Sequence, residues 1–164
     1  MLAARLKWEF LDTDVIVEER AGLSIREIFA QGGEELFRKL ETETVQECCT
    51  HDKAVIASGG GAILNSDNVA ALRKDGFVVH LTADPSELWV RISRDCKTAD
   101  RRPKLISDAG SGVDELRRLL LSRSGAYASA RHVEVGVEGR SPDEVAEAII
   151  LLMKAHGVDA SPGS

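Results

Sequence analysis

Ala54-Val55-Ile56-Ala57-Ser58-Gly59-Gly60-Gly61 is a short apolar run stopped by a serine and three consecutive glycines. An apolar run without polar alternation suits a strand buried on both faces, as in a parallel sheet covered by helices. Three glycines in a row give up side-chain packing and add entropy to the unfolded chain. In return, a ligand can approach the backbone closely. A flexible turn is the plainer reading, but a two-residue turn has no need of three glycines.

The chain on either side fits that strand into an alternating pattern. Upstream, Leu2 to Trp8 reads as a short amphipathic helix, and Glu9 to Thr13 as a strand ending on Asp12 and Asp14. Val15 to Arg20 is helical and is closed by Gly22. Ser24-Ile25-Arg26-Glu27 is a capping box, and a longer helix runs from about Glu34 to Cys49, with Leu36, Leu40 and Thr44 on a face widened by Phe37 and Val45. Downstream, a helix is expected from about Asp67 to Lys74, a strand over Phe77 to Leu81, and a helix opened by Asp84-Pro85-Ser86-Glu87 that runs to about Cys96. Val113 to about Ser124 is helical, and His132 to Val137 alternates as an edge strand would. Ser141-Pro142-Asp143-Glu144 is a second capping box and starts a last helix striped by Val145, Ile149, Leu152 and Met153. Strands alternating with helices predict an α/β fold, a three-layer parallel sheet with helices on both faces. Residues 1–156 read as one domain, with a frayed tail over 157–164; the segment from Lys97 to Gly112 is polar and unpatterned, a loop whose length marks it as functional or disordered.

Composition narrows the partners. With 164 residues, 43% of them apolar, the chain is long enough for one real core. A formal charge of −6 argues against a nucleic-acid surface, which needs clustered Lys and Arg. No apolar run approaches a membrane span, and Arg5, Lys7 and Glu9 interrupt any signal-peptide core. Cys48, Cys49 and Cys96 have no framework spacing, so a reducing cytoplasm is the simplest location. Cys48-Cys49 with His51 does not supply tetrahedral metal geometry. The sequence carries no sign of oligomeric state.

Several residues carry chemistry. Asp12 and Asp14 lie at the carboxyl end of a strand, where open α/β sheets bind ligands. One can hold a hydrated Mg²⁺ while the other accepts from sugar-like hydroxyls; two solvated turn aspartates is the competing reading. Arg38, beside Phe37, is either a surface arginine paired with Glu34 or Glu41 or a fork onto an anionic substrate. Arg123 near a helix end has the same two readings. Asp100-Arg101-Arg102-Pro103 lies in the long loop, where an arginine that closes over transferring phosphoryl charge is a recurrent device. A solvated basic patch is equally compatible.

Taken in order, Phe10-Leu11-Asp12-Thr13-Asp14, Phe37-Arg38, Gly59-Gly60-Gly61, Arg101-Arg102-Pro103, and Arg123 four residues before Tyr127 resemble shikimate kinase, over roughly Leu2 to Met153. The resemblance implies a P-loop kinase-like fold, that of the nucleoside-monophosphate kinases, and ATP-dependent phosphorylation of the shikimate 3-hydroxyl in aromatic amino-acid biosynthesis. It implies that Asp14 binds the shikimate hydroxyls and helps orient or deprotonate the attacking one. Arg38 and Arg123 would clamp the carboxylate, and Gly59, Gly60 and Gly61 would line the floor. Asp12 would act at the Mg²⁺ site through water, and Arg102 would reach the phosphates from a lid over about 97–112. Arg91 and Pro142 would flank the adenine of ATP, with Arg140 nearby. The stretch before the lid arginine is long, which leaves the choice between Arg101 and Arg102 open.

One part of the pattern is missing. No Gly-x-x-x-x-Gly-Lys-Ser/Thr loop occurs, and no lysine follows a glycine anywhere. That loop cradles nucleotide phosphates with backbone N–H groups and a lysine. Leu2-Ala3-Ala4-Arg5-Leu6 looks like the end of the helix that follows such a loop, so the sequence reads as N-terminally truncated. The expected sheet then lacks its first, central strand, with a gap between the strands at Val55 and Val78, and kinase activity should be impaired or absent. A non-catalytic paralogue that binds shikimate or a partner, and a related small-molecule kinase acting on another polyol acid, are the alternatives.

Overall fold

The computed structural model describes residues 1–94 and 112–163. Cys96, Arg101, Arg102 and nearly all of the expected lid lie outside the described residues. The helices are α1 (Leu2–Leu6), α2 (Thr13–Ala21), α3 (Ile25–Cys48), α4 (Ser66–Lys74), α5 (Pro85–Arg94), α6 (Gly112–Ala130) and α7 (Pro142–Ala155). The strands are β1 (Glu9–Asp12), β2 (Ala54–Ala57), β3 (Val79–Thr82) and β4 (Val133–Gly136), and a 3₁₀ turn spans Ala62–Leu64. This is the expected α/β class: parallel strands flanked by helices.

The strands form two parallel pairs. β1 runs beside β2 with Phe10 opposite Val55, and β3 beside β4 with His80 opposite Glu134. Among the described residues β2 and β3 share no ladder, at the place where the sequence expectation leaves a gap. Both nevertheless reach one core. Val55 and Val79 pack on a cluster of Leu6, Val135, Val137, Val145, Ile149 and Met153. A second cluster, Val17, Ile25, Ile28 and Phe37, fastens α2 to α3.

Local chemistry sets the boundaries. β1 ends one residue sooner than the sequence suggests, because the Asp12 carboxylate accepts from the N–H groups of Asp14 (3.0 Å) and Val15 (3.3 Å) and so starts α2 at Thr13. Both capping boxes close as expected, Ser24 with Glu27 and Ser141 with Glu144. In α3 the helical dihedrals break at Gly33 (φ 66°, ψ −164°), so the run from Glu34 is a distinct segment. A β-carbon at Gly33 would meet nothing within 4 Å, so the demand for glycine there is conformational. α6 continues to Ala130, six residues past the expected end near Ser124. Its final carbonyls, at Ser129 and Ala130, and the Arg131 carbonyl just beyond it accept from the Arg73 guanidinium at 3.3, 2.8 and 3.1 Å. Arg73 comes from α4, a distant donor that no local reading of α6 contains. β3 starts later than expected, at Val79, since the Val78 N–H donates to the His132 ring at 2.9 Å rather than to a strand.

Residues 157–163 carry no helix or strand, yet they lie back on the first helix. The Gly163 N–H donates to the Leu6 carbonyl at 2.8 Å, and the Trp8 indole donates to the Ser161 carbonyl at 3.1 Å. No helix among the described residues is long and apolar enough to cross a membrane.

Candidate functional site

The site is built on the carboxyl ends of β1 and β2. β1 hands over to α2, whose first turn carries Asp14. β2 hands over to the glycines, and the Gly59 carbonyl accepts from Ala62 to start the 3₁₀ turn. The three glycines are held against side chains of α2, α3 and α6. A β-carbon on Gly59 would sit 3.1 Å from Asp14 Oδ1 and 3.3 Å from Glu41 Oε1. One on Gly60 would sit 3.0 Å from the Tyr127 hydroxyl, and one on Gly61 would sit 2.5 Å from Arg38 Nη1. The absence of side chains here lets four functional groups reach one stretch of backbone.

α3 supplies Arg38 and Glu41. Arg38 donates to Glu34 through Nε and Nη2 (3.2 and 3.1 Å) and to Glu41 through Nη1 (2.7 Å). Both ion pairs contemplated from the sequence are therefore present, but Arg38 is not a plain surface arginine, because the Glu41 side chain is only 2% exposed. Burial works to lower the Arg38 guanidinium, and the Glu41 and Glu34 carboxylates outweigh it and hold it above its ordinary value. Burial pushes the Glu41 carboxyl up; Arg38 opposes the rise, Asp14 adds to it, and Arg123 opposes it. Asp14, Arg38 and Arg123 thus all act on one buried carboxyl. α6 brings Arg123, whose Nη1 lies 3.4 Å from the Gly60 carbonyl, and Tyr127, whose hydroxyl donates to that carbonyl at 2.9 Å.

Asp14, Arg38, Gly59, Gly60, Gly61 and Arg123 are brought together. Two guanidinium groups from different helices can grip a carboxylate, and a nearby carboxylate can accept from hydroxyls. The other candidates are not drawn into this cluster. Asp12 caps α2 from the strand end. Arg91, in α5, pairs with Glu87 of its own helix. Arg140 lies in the turn before α7, and Pro142 opens that helix. Arg102 lies outside the described residues. No group of three or more potential metal ligands is found among the described residues. The two described cysteines are free, with Cys48 buried. An open pocket of about 290 Å³ lined by Phe77, His132, His156 and their neighbours lies at the amino end of β3, away from the carboxyl ends that carry the cluster.

Two members of the site were not recognised as such from the sequence, Glu41 being read only as an ion-pair partner of Arg38. Glu41 had a legible signal, a charged residue four positions after Phe37 and four before Val45, in the middle of the apolar face of α3. Tyr127 was noted only for its spacing from Arg123. Its hydrogen bond to Gly60 spans 67 residues and has no local sign.

The shikimate kinase family model matches residues 1–154. The shikimate kinase of Symbiobacterium thermophilum is 41% identical over 160 residues, covering 96% of this chain and 88% of that protein. That of Moorella thermoacetica is 41% identical over 155 residues, covering 94% and 85%. Among solved structures, the shikimate kinase of Acinetobacter baumannii in complex with shikimate superposes with a TM-score of 0.87 at 30% identity, covering 96% of this chain and 85% of that one. The enzyme from Aquifex aeolicus gives a TM-score of 0.76 at 30% identity, covering 95% and 87%.

Proposed function

The chain belongs to the shikimate kinase family, small-molecule phosphotransferases, and on that premise we propose that its site takes shikimate and serves transfer of the γ-phosphoryl group of ATP to the 3-hydroxyl. The observation that carries the reading is the convergence of Asp14, Arg38 and Arg123 on the glycine floor. Arg38 and Arg123 clamp the substrate carboxylate. Glu34 and Glu41 engage three N–H positions of Arg38, and a guanidinium has five N–H donors, so a ligand can be gripped without breaking the inner pair with Glu41. Asp14 accepts from the substrate hydroxyls and takes the 3-hydroxyl proton as that oxygen attacks the γ-phosphorus and ADP leaves. Gly59, Gly60 and Gly61 form the surface against which the ring rests.

The nucleotide side is assigned to Arg91, Arg140 and Pro142 around the adenine and to Arg102 over the phosphates. Asp12 would hold Mg²⁺ through water. Its place at a strand end fits an ion that usually takes one or two carboxylates and fills its remaining positions with water and phosphate oxygens. When bound, Mg²⁺ neutralises charge on the phosphates. Asp12 meanwhile keeps the first turn of α2, and with it Asp14, in place.

We further propose that the phosphate cradle lies outside these 164 residues. The missing Gly-x-x-x-x-Gly-Lys-Ser/Thr pattern and the unjoined edges of β2 and β3 support this. Separate calorimetric titrations with shikimate and ATP, combined with a turnover assay, test both proposals. We expect shikimate to bind, ATP to bind weakly, and turnover to be at least about a thousandfold below an ordinary kinase rate, because positioning and charge stabilisation supply most of this catalysis. Tight ATP binding without shikimate binding would reject the site, and normal turnover would reject the missing cradle. If coding sequence upstream of Met1 supplies the loop and restores turnover, the catalytic reading stands. If shikimate binds and no such sequence restores turnover, the chain is a non-catalytic binding relative. Preference for another polyol acid in the same titration would identify a related kinase.

A further inference from the structure

Arg123 makes a single long contact with the floor, 3.4 Å from the Gly60 carbonyl, and its side chain has many rotamers. Something else must fix where it points. Tyr127 follows four residues later on α6, on the same helix face. Its hydroxyl donates to the same carbonyl at 2.9 Å, the shorter of the two bonds. Its ring lies flat on His80 of β3, with centroids 4.4 Å apart and planes within 5°. Among the described residues the His80 Nδ1 makes no close hydrogen bond, its nearest charged partner being Glu134 at 3.6 Å, so the stack on Tyr127 is the closest hold on that ring. Tyr127 is thus gripped on two sides, by the loop after β2 and by a residue of β3. It ties together two strand pairs that share no ladder.

We propose that Tyr127 is a positioning residue that sets the Arg123 guanidinium over the glycine floor through the Gly60 carbonyl. The inference rests on the assignment of this cluster as the shikimate site. Tyr127 holds the floor at the Gly60 carbonyl and need not touch the ligand. Its contribution to binding therefore passes through Arg123, and it disappears when Arg123 is gone.

The test is a double-mutant cycle with shikimate as the probe, Kd being read by NMR-detected titration, which reaches millimolar values. Tyr127→Phe keeps the ring stack and removes only the hydroxyl. It should raise the shikimate Kd about fivefold, the worth of one ordinary hydrogen bond. In an Arg123→Ala background the same change should alter Kd by less than about twofold, since no guanidinium remains to be placed. Melting curves of the four proteins provide the structural control; loss of stability alone would not produce an effect that depends on Arg123. An unchanged Kd in Tyr127→Phe, or the full factor persisting in the Arg123→Ala background, overturns the inference while leaving the site assignment intact. Failure of the unmutated protein to bind shikimate removes the site assignment, and the inference with it.

Discussion

The two strand pairs match in length and direction but end differently. At the carboxyl ends of β1 and β2, side chains from α2, α3 and α6 meet on one glycine loop, with bonds that cross from element to element. Beyond β3 and β4 the named residues serve their own helices. Arg91 pairs with Glu87 one turn away, and Ser141 and Glu144 cap α7. An exposed pair such as Arg91–Glu87 contributes only about 0.3–0.5 kcal/mol and is readily given up to a ligand. The first end is therefore shaped before anything binds, and the second consists of residues with loose prior commitments. Shikimate affinity should depend on the first end alone.

The sharpest test of that contrast is Arg38→Ala. It should weaken shikimate binding by about ten- to a hundredfold, the range for bonds to a charged group. It also strands the buried Glu41 carboxylate. The cost in stability should be about 2 kcal/mol, below the full cost of an unpaired buried charge because the Arg38 side chain is itself 31% exposed. Calorimetry and denaturant unfolding read the two effects separately; unchanged values in both would dissolve the pocket. Gly61→Ala comes next. Its φ of −99° suits any residue, so the backbone tolerates alanine, but the new methyl would stand 2.5 Å from Arg38 Nη1. We expect about tenfold weaker shikimate binding through a displaced guanidinium, with a smaller loss of stability.

A gentler effect involves pH. Burial lowers His80 despite the opposing pull of Glu134, and burial, together with Arg73 and His156, lowers His132. Their folded values lie below the ordinary 6.5, so the unfolded chain takes up protons first. Their contribution is complete above about pH 6.5 and is lost as pH falls towards the depressed folded values. The melting temperature should therefore decline on going from neutral to mildly acidic buffer. His80→Phe, which keeps a ring under Tyr127, should flatten that decline. A slope that survives unchanged in this variant would show that His80 is not a source of it. Smallest of all, Arg91→Ala and Arg140→Ala should leave the shikimate Kd within about twofold, the scatter of surface substitutions. A larger shift in either would erase the distinction between the two ends.

What the sequence disclosed follows from how far each signal reaches. The capping boxes at Ser24 and Ser141 were legible because donor and acceptor lie three residues apart. The crowding around Gly59 to Gly61 was legible because three bare positions after an apolar run serve little besides a close approach to the backbone. The length of α6 was not, since Arg73 of α4 finishes it from across the fold. Asp12 was read for its chemistry, and its capping bond was overlooked because the strand pattern carried through Thr13. The burial of Glu41, which was read only as a surface partner of Arg38, could have been found, as a carboxylate on an apolar stripe always asks for a buried partner. The tie from Tyr127 to Gly60 depends on two helices and a sheet being in place, and no spacing encodes it.

The tail that lies on α1 bears on the order in which the chain assembles. Arg5 bonds to Asp143 and Glu147, and Trp8 to Ser161, across 138, 142 and 153 residues. Leu6 is buried against Ile149 and Met153 of α7. α1 is thus fastened by residues that come far later in the chain. During synthesis α1 must wait with its apolar face exposed until α7 has emerged, and closing so long a loop slows the final step. A ribosome that stalls before Pro142 would leave a chain whose glycine loop is complete but whose α1 lacks the partners that hold it, a natural target for chaperones and proteases.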